Sequence, residues 1–312
     1  MLIKMDITII HCANEGELFD VLRLGRSTWK RANFGDIVFR GQSNANWHLV
    51  PSAFGPNTSL GYREVLRVGP SPDRTEQARG EFYAVREFLK LADQVGLPVP
   101  GDSHIFRDSG DPYALFEAWP PLDTLPTLAI AQHHGVPTRL LDVTYDAYTA
   151  AFFAVLGPVK AESEQSPDLS IAVWAIDIRV VRLIEGYEAS RSVRIQEVTV
   201  PRANNPNLHA QHGMFLIDSD ASYSQAEGGY VPLEDVICQE ADYWQTRPGF
   251  WPAGHPQSDF VLPIVKIVIP ASFSHAIMMR LHREGKTQAH LTPSYDGVVA
   301  ALELIRSKTL LA

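Results

Sequence analysis

Three strongly apolar runs constrain this chain more than any other feature. Ile171-Ala172-Val173-Trp174-Ala175-Ile176, Met214-Phe215-Leu216-Ile217 and the stretch from Val261 to Ile269 lack the in–out alternation of a half-solvated strand. Runs of this kind suit central strands covered on both faces. Helical patterns are interspersed with them without strict βαβ alternation. The pattern predicts an α+β fold, a mixed β-sheet core flanked by helices.

The remaining elements follow from spacing and punctuation. Leu18, Val21, Leu22 and Leu24 predict a short helix over 15–25 with Gly25 as its stop. Ile37-Val38-Phe39 reads as a strand that delivers Arg40 to its C-terminal edge, and Trp47 to Phe54 as a loop or edge strand. The clearest helix is 72–95, capped by Ser71 with Pro72 at its first position. Residues 96–123 read as a connection with one helical piece near Tyr113–Ala118. A helix over 124–134 ends at Gly135-Val136-Pro137, Arg139–Val143 is a strand, and Tyr145–Leu156 is an apolar helix. Helices over 271–284 and 295–306, the second begun by Ser294, complete the chain. With no internal repeat, low-complexity tract or long linker, 1–312 is expected to be one domain, a lead-in over about 1–33 and a core over about 34–312.

Composition excludes several classes. Of 312 residues, 45% are hydrophobic and 20% charged, enough to bury a core without a metal or disulfide staple. A formal net charge of −9 leaves no global basic footprint, so non-specific binding to duplex nucleic acid is not expected. Cys12 and Cys238 are far apart and outside any CxxC, which argues against a disulfide framework or thiolate metal site and suits a reducing cytoplasm. The first residues hold no signal-peptide h-region, and no stretch approaches the roughly 18 apolar residues of a membrane span. The expected setting is cytoplasmic, away from membranes.

Three polar constellations carry candidate chemistry. Arg40 beside Gly41 and Gln42 offers a planar five-donor fork where backbone can approach a phosphate or carboxylate closely. The segment Gln132 to Thr144 packs His133, His134, Thr138, Arg139 and Asp142 around a Gly/Pro turn. His209-Ala210-Gln211-His212 opens a buried strand. Each also has a structural reading, because Arg40, Arg139 and Asp142 can form one internal ion-pair network. The histidines lack diagnostic metal spacing, and no GxGxxG, Walker A or GxSxG motif is present.

Together these segments resemble the FRG family, named for Phe-Arg-Gly. The matching residues are Phe39-Arg40-Gly41-Gln42, Trp47, Pro51-Ser52, the QHxGxPTRLLDxT string from Gln132 to Thr144, Ala150–Ala154, Gln211-x-Gly213-x-Phe215 and Pro293–Gly297, spread over roughly 15–305. In motif order they are similar to ADP-ribosyltransferases. That likeness implies an enzyme or NAD-cleaving toxin or effector of bacterial or phage setting, with NAD as its substrate and no metal. Arg40, His134, Asp142, Thr144 and Gln211 would be catalytic. Arg40, Gly41, Gln42, Arg139, Thr144, Tyr145 and Phe152 would bind the dinucleotide. A macromolecular acceptor, protein or nucleic acid, fits the same reading. The glutamate expected near Gln211 is absent, with Glu197, Glu234 or Asp142 left to supply the charge. The alternatives are a non-catalytic nucleotide- or phosphoryl-binding module, such as a sensor or phage-defence component, and a metal-assisted hydrolase using the histidines.

Overall fold

A computed structural model describes residues 6–24, 27–29, 32–55, 73–97, 104–108, 116–161, 168–187, 194–200, 205–220, 223–224, 229–254 and 263–306. The runs Ile171–Ile176 and Met214–Ile217, and the third from Ile264 onward, lie inside a seven-stranded mixed sheet, as the sequence predicts; Val261 and Leu262 are outside the described residues. Its strands are β1 (Thr8–His11), β2 (Ile37–Gln42), β3 (Leu140–Thr144), β4 (Ser170–Asp177), β5 (Ile195–Val198), β6 (Gly213–Asp218) and β7 (Ile264–Pro270). Their spatial order is β1-β7-β4-β2-β3-β6-β5. The β1–β7 pair is parallel and the other neighbours are antiparallel. From Ile171 onward β4 is buried throughout, which explains its unbroken hydrophobicity. The edge strands β1 and β5 are short and partly exposed, so neither stands out in the sequence.

Helices cover both faces. Over one half of the first face, α4 (Ala147–Lys160), with α1 (Glu15–Leu22) and α8 (Ser274–Arg283), packs Phe152, Val155, Phe19 and Met278 against Phe39, Val173 and Ile267. Over the other half, α2 (Arg74–Gln94) and α3 (Leu125–His133) pack Phe82, Val85 and Leu128 against Leu140, Phe215 and Ile217. The opposite face is closed by α5 (Ile178–Tyr187) and α7 (Leu233–Trp244) over Leu141, Val143, Trp174 and Leu216. The short α6 (Pro206–Ala210) leads into β6, and α9 (Tyr295–Arg306) is the last described helix. No described helix is long and apolar enough to cross a membrane.

Several boundaries differ from the sequence reading. Strand β2 continues through Gln42, so Arg40 lies within it and not at its end. Ser71 and Pro72 fall outside the described residues; α2 is capped by Asp73, whose carboxylate accepts from Thr75 N at 2.8 Å and Glu76 N at 3.1 Å. Helix α1 ends at Leu22, and Gly25 lies outside the described residues. Trp47 to Phe54 is a loop closed by a 3₁₀ turn at Ser52–Phe54. Between 96 and 123 a helical turn occupies His104–Asp108, while most of the piece expected near Tyr113–Ala118 is outside the described residues. Asp146 caps α4 by accepting from Tyr148 N at 2.9 Å, and the helix runs past Pro158 to Lys160. A proline so near the end removes little of the hydrogen-bond ladder. Ser294 Oγ accepts from Gly297 N at 3.0 Å, as expected of the residue that opens α9.

The sheet contains a seam. Strand β2 pairs with β4 along its whole length, from Ile37↔Asp177 to Gln42↔Ala172. Strand β3 pairs with β6 likewise, from Leu140↔Ile217 to Thr144↔Gly213. Between β2 and β3 the ladder consists of Phe39↔Thr144. Beyond that pair the two halves of the sheet diverge.

Candidate functional site

A cavity of about 460 Å³ opens at this seam, on the face covered by α3, α4 and α6. Its size lies within the roughly 300–1,000 Å³ of small-molecule sites. Phe39, Ala150, Phe153, Met214 and Phe215 supply apolar wall; Arg40, Gln132, His133, Asp142, Asn207 and Gln211 supply polar groups.

Arg40 occupies the gap that strand pairing leaves. By register it leaves β2 opposite Trp174, yet its Nη1 donates to the Asp142 carbonyl at 2.7 Å, across the seam. The Asp142 carboxylate is 3.8 Å away and more than half exposed, a weak ion pair. Arg40 Nε is buried without a partner, and Nη2 makes no hydrogen bond among the described residues. Burial pulls the guanidinium below its ordinary proton affinity, and Asp142 only partly offsets this. An orphaned buried donor costs roughly 1–3 kcal/mol, and such groups collect where a fold serves something other than its own stability.

Gly41 has a packing reason. A Cβ there would lie 1.8 Å from the Ala150 carbonyl oxygen and 2.7 Å from Ala154 N, so only glycine lets α4 sit directly on β2. The Gln132 amide ties the next elements together. Its Nε2 donates to the Leu140 carbonyl at 2.8 Å and to Asp142 Oδ2 at 2.7 Å, and its Oε1 accepts from the Thr138 hydroxyl. The carboxylate is thereby fixed at the cavity edge. Thr144 Oγ1 donates to the Gln211 carbonyl at 2.6 Å and accepts from Asp146 N at 2.9 Å, while Gln211 Nε2 donates to the Leu291 carbonyl at 2.9 Å. Thr144 is thereby committed to the wall, whereas Gln211 keeps one Nε2 hydrogen and its side-chain oxygen free of partners among the described residues.

His133, not His134, lines the cavity. Burial first, then His134, holds the His133 imidazole below its ordinary pKa, with Asp142 opposing, so it is neutral near pH 7. Its Nε2 lies 2.7 Å from Asn207 Nδ2. His134 is exposed and stacks on Phe88, ring centroids 6.0 Å apart.

The other candidates stand elsewhere. Arg139 is fully buried, with Nε 2.8 Å from Glu81 Oε2 and Nη2 3.1 Å from Glu81 Oε1. Glu81 also accepts from Gln77 Nε2 at 2.9 Å and Trp119 Nε1 at 3.1 Å, a closed structural network. Gln42 donates to the His48 carbonyl at 2.9 Å and accepts from Trp174 Nε1 at 2.7 Å. Phe152 lies wholly in the core, leaving its neighbour Phe153 at the cavity, and Tyr145 packs near Phe34. Glu197 pairs with Arg182 at 2.7 Å, and Glu234 with His48 at 2.8 Å; neither lines the cavity. Among the described residues no three His, Cys, Asp or Glu side chains are grouped to hold a metal.

Asn207 is the polar contributor that residue chemistry alone did not single out, and Gln132 was read as part of its segment without a role of its own. Asn205-Pro206 is a helix-start signal that placed Asn207, since Asn205 caps α6 by accepting from Leu208 N at 3.2 Å. A larger cavity of about 1070 Å³ lies between the start of α2 and α7. Its two arginines are already paired, Arg74 with Asp220 and Arg194 with Asp218. It therefore presents no unmet polar demand comparable to that of Arg40.

A family model described as FRG domain matches residues 35–163. The matched span holds both seam strands, α3 and α4, and is narrower than the stretch over which the motif pieces are spread; Asn207 and Gln211 come from outside it. No curated protein and no solved structure matches the chain.

Proposed function

The chain carries an FRG domain at residues 35–163, and we propose that the seam of its sheet is the NAD site of an ADP-ribosyltransferase-like enzyme. The observation that carries this reading is the contrast between two arginines. Arg139 is fully satisfied within the fold, whereas Arg40 spans an open seam with Nε orphaned and Nη2 unbonded. Such a fork suits bidentate recognition of a phosphate oxygen pair.

In this reading Arg40 grips the diphosphate, and Phe153, Ala150 and Met214 receive the nicotinamide ring. The C1′–N bond of the nicotinamide ribose breaks, and its electron pair leaves on the ring nitrogen. The resulting oxocarbenium centre is stabilised by the Asp142 carboxylate, fixed by Gln132. The acceptor's nucleophile bonds to C1′, and its proton passes to Asp142. With water as acceptor the same steps hydrolyse NAD; with a protein or nucleic acid they transfer ADP-ribose. Thr144 and Gln211 hold the wall in shape. His134, exposed and outside the cavity lining, has no part in this reading. A single domain over 1–312 is supported by one sheet that takes strands from Thr8 to Pro270, and a reducing cytoplasm by two buried free thiols.

A second reading, a nucleotide-binding module without turnover, is favoured by one feature. Asp142 is the carboxylate among the described lining residues, and no glutamate accompanies it. Incubation with NAD, followed by chromatography for nicotinamide, separates the two. Release that Arg40→Ala abolishes supports the enzyme. Calorimetric binding of NAD without release, with or without cell lysate, supports the module. Neither binding nor release would reject both.

A further inference from the structure

His133 and Asn207 form a pair at the cavity, contributed by α3 and α6. An amide NH₂ only donates, so with Asn207 Nδ2 at 2.7 Å the His133 Nε2 accepts and carries no proton. The proton of the neutral ring then sits on Nδ1, which has no hydrogen-bond partner among the described residues. The reversed amide would carry the opposite tautomer, so amide orientation and ring protonation are one question.

We infer that Asn207 is a positioning residue: its amide locks His133 in the neutral Nδ1–H form, making His133 a hydrogen-bond donor to an oxygen of the bound ligand. Asp142 is thereby left as the group that takes a proton. The charged and titratable groups around the ring agree with this division. Burial and then His134, just past the end of α3, oppose a positive charge, Asp142 on β3 favours one, and Arg40 on β2 lies against Asp142 and weakens its pull. Asn207 Oδ1 is buried without a partner among the described residues; the reversed amide would satisfy that oxygen from a protonated His133 Nε2, and the spectra below separate the two arrangements. The ligand half of the inference rests on the nucleotide reading; the tautomer half does not.

Multiple-bond ¹H–¹⁵N spectra of the uniformly ¹⁵N-labelled full chain test both halves, with His133→Gln identifying the signals. The expected spectrum at pH 7 shows an imine-type Nε2 and a protonated Nδ1. Asn207→Asp, nearly isosteric but acceptor-only, is expected to move the proton to Nε2 and raise the His133 pKa by about one unit. A protonated Nε2 in the wild type overturns the inference, as does an unchanged tautomer in both Asn207→Asp and Asn207→Ala. Circular dichroism checks that each variant is folded. Titration with NAD and with pyrophosphate follows, and the Nδ1–H signal is expected to shift as either binds. Binding with no shift at His133 overturns the donor role and leaves the nucleotide reading standing. The inferred tautomer with no binding of either compound sinks the nucleotide reading and leaves the positioning pair intact.

Discussion

Replacing Arg139 and Arg40 by leucine, one at a time, separates an arginine that holds the fold together from one the fold leaves incompletely bonded. Arg139→Leu strands Glu81 in the interior. The carboxylate loses contacts of 2.8 and 3.1 Å and, among the described residues, keeps Gln77 Nε2 and Trp119 Nε1 as donors. Breaking a buried ion pair from one side costs about 3–5 kcal/mol. For a chain of this size that lowers Tm by roughly 10 °C. Arg40→Leu removes one charge-assisted bond to the Asp142 carbonyl, worth roughly 1.5–3 kcal/mol. It also removes the buried, unpartnered Nε, whose burial costs roughly 1–3 kcal/mol. The two nearly cancel, and the pair at 3.8 Å with a half-exposed carboxylate adds little. The expected change is within about 1 kcal/mol, or a few degrees. Thermal unfolding followed by circular dichroism reads both. If Arg40→Leu falls as far as Arg139→Leu, then Arg40 belongs to the fold and the seam cavity is only a packing gap.

Gly41→Ala is expected to cost about 3 kcal/mol or more, because its Cβ would meet the Ala150 carbonyl at 1.8 Å; an unchanged melting temperature would contradict the direct seating of α4 on β2. Burial alone would raise the Asp146 pKa, but Lys286, Thr149 and the Tyr148 amide outweigh it and hold the carboxyl below its ordinary value. Its contribution is therefore present above the unfolded pKa near 3.9 and lost as pH falls through the lower folded value. Urea midpoints measured from about pH 5 downward should fall more steeply for wild type than for Asp146→Asn, and parallel curves would rule this out. Burial pushes the Cys12 thiol up to about 11 and the Cys238 thiol up to about 12, with Glu17 and Asp235 adding. Both should resist iodoacetamide at about pH 8 until the protein is denatured, as mass spectrometry would show.

The fold was legible where one local pattern decides it. The runs in β4 and β6 identify themselves because each is buried on both faces, that in β7 because one face is buried and the other half-covered, and Ser294 announces α9 by cap chemistry. The seam was not legible, because it is an absence of pairing between β2 and β3, and no residue in either strand encodes a missing ladder. The Gln132–Thr144 segment shows the limit most sharply. Within it Gln132, His133 and Asp142 reach the cavity, while Thr138 and Arg139 turn to the fold. Arg139 looks like a ligand arginine in sequence because its partner Glu81 is 58 positions away. Gln42 is hidden the same way, bonded to Trp174 across 132 positions. Adjacent histidines lie about 100° apart on a helix, so only one of His133 and His134 can face a given wall, and spacing does not say which. Asn207 carries no titratable group and becomes visible only beside His133.

The closed network around Arg139 has a mechanical consequence for the seam. Arg139 immediately precedes β3, and its guanidinium is clamped to Glu81 midway along α2. Strand β3 is thus hung from a helix on one side and zipped to β6 on the other, while its attachment to β2 is a single pair. The gauge of the cavity is therefore set from behind, by where α2 rests, and not by the two strands that border it. A displacement of α2 would carry the Asp142 carboxylate with it and leave Arg40 where β4 holds it.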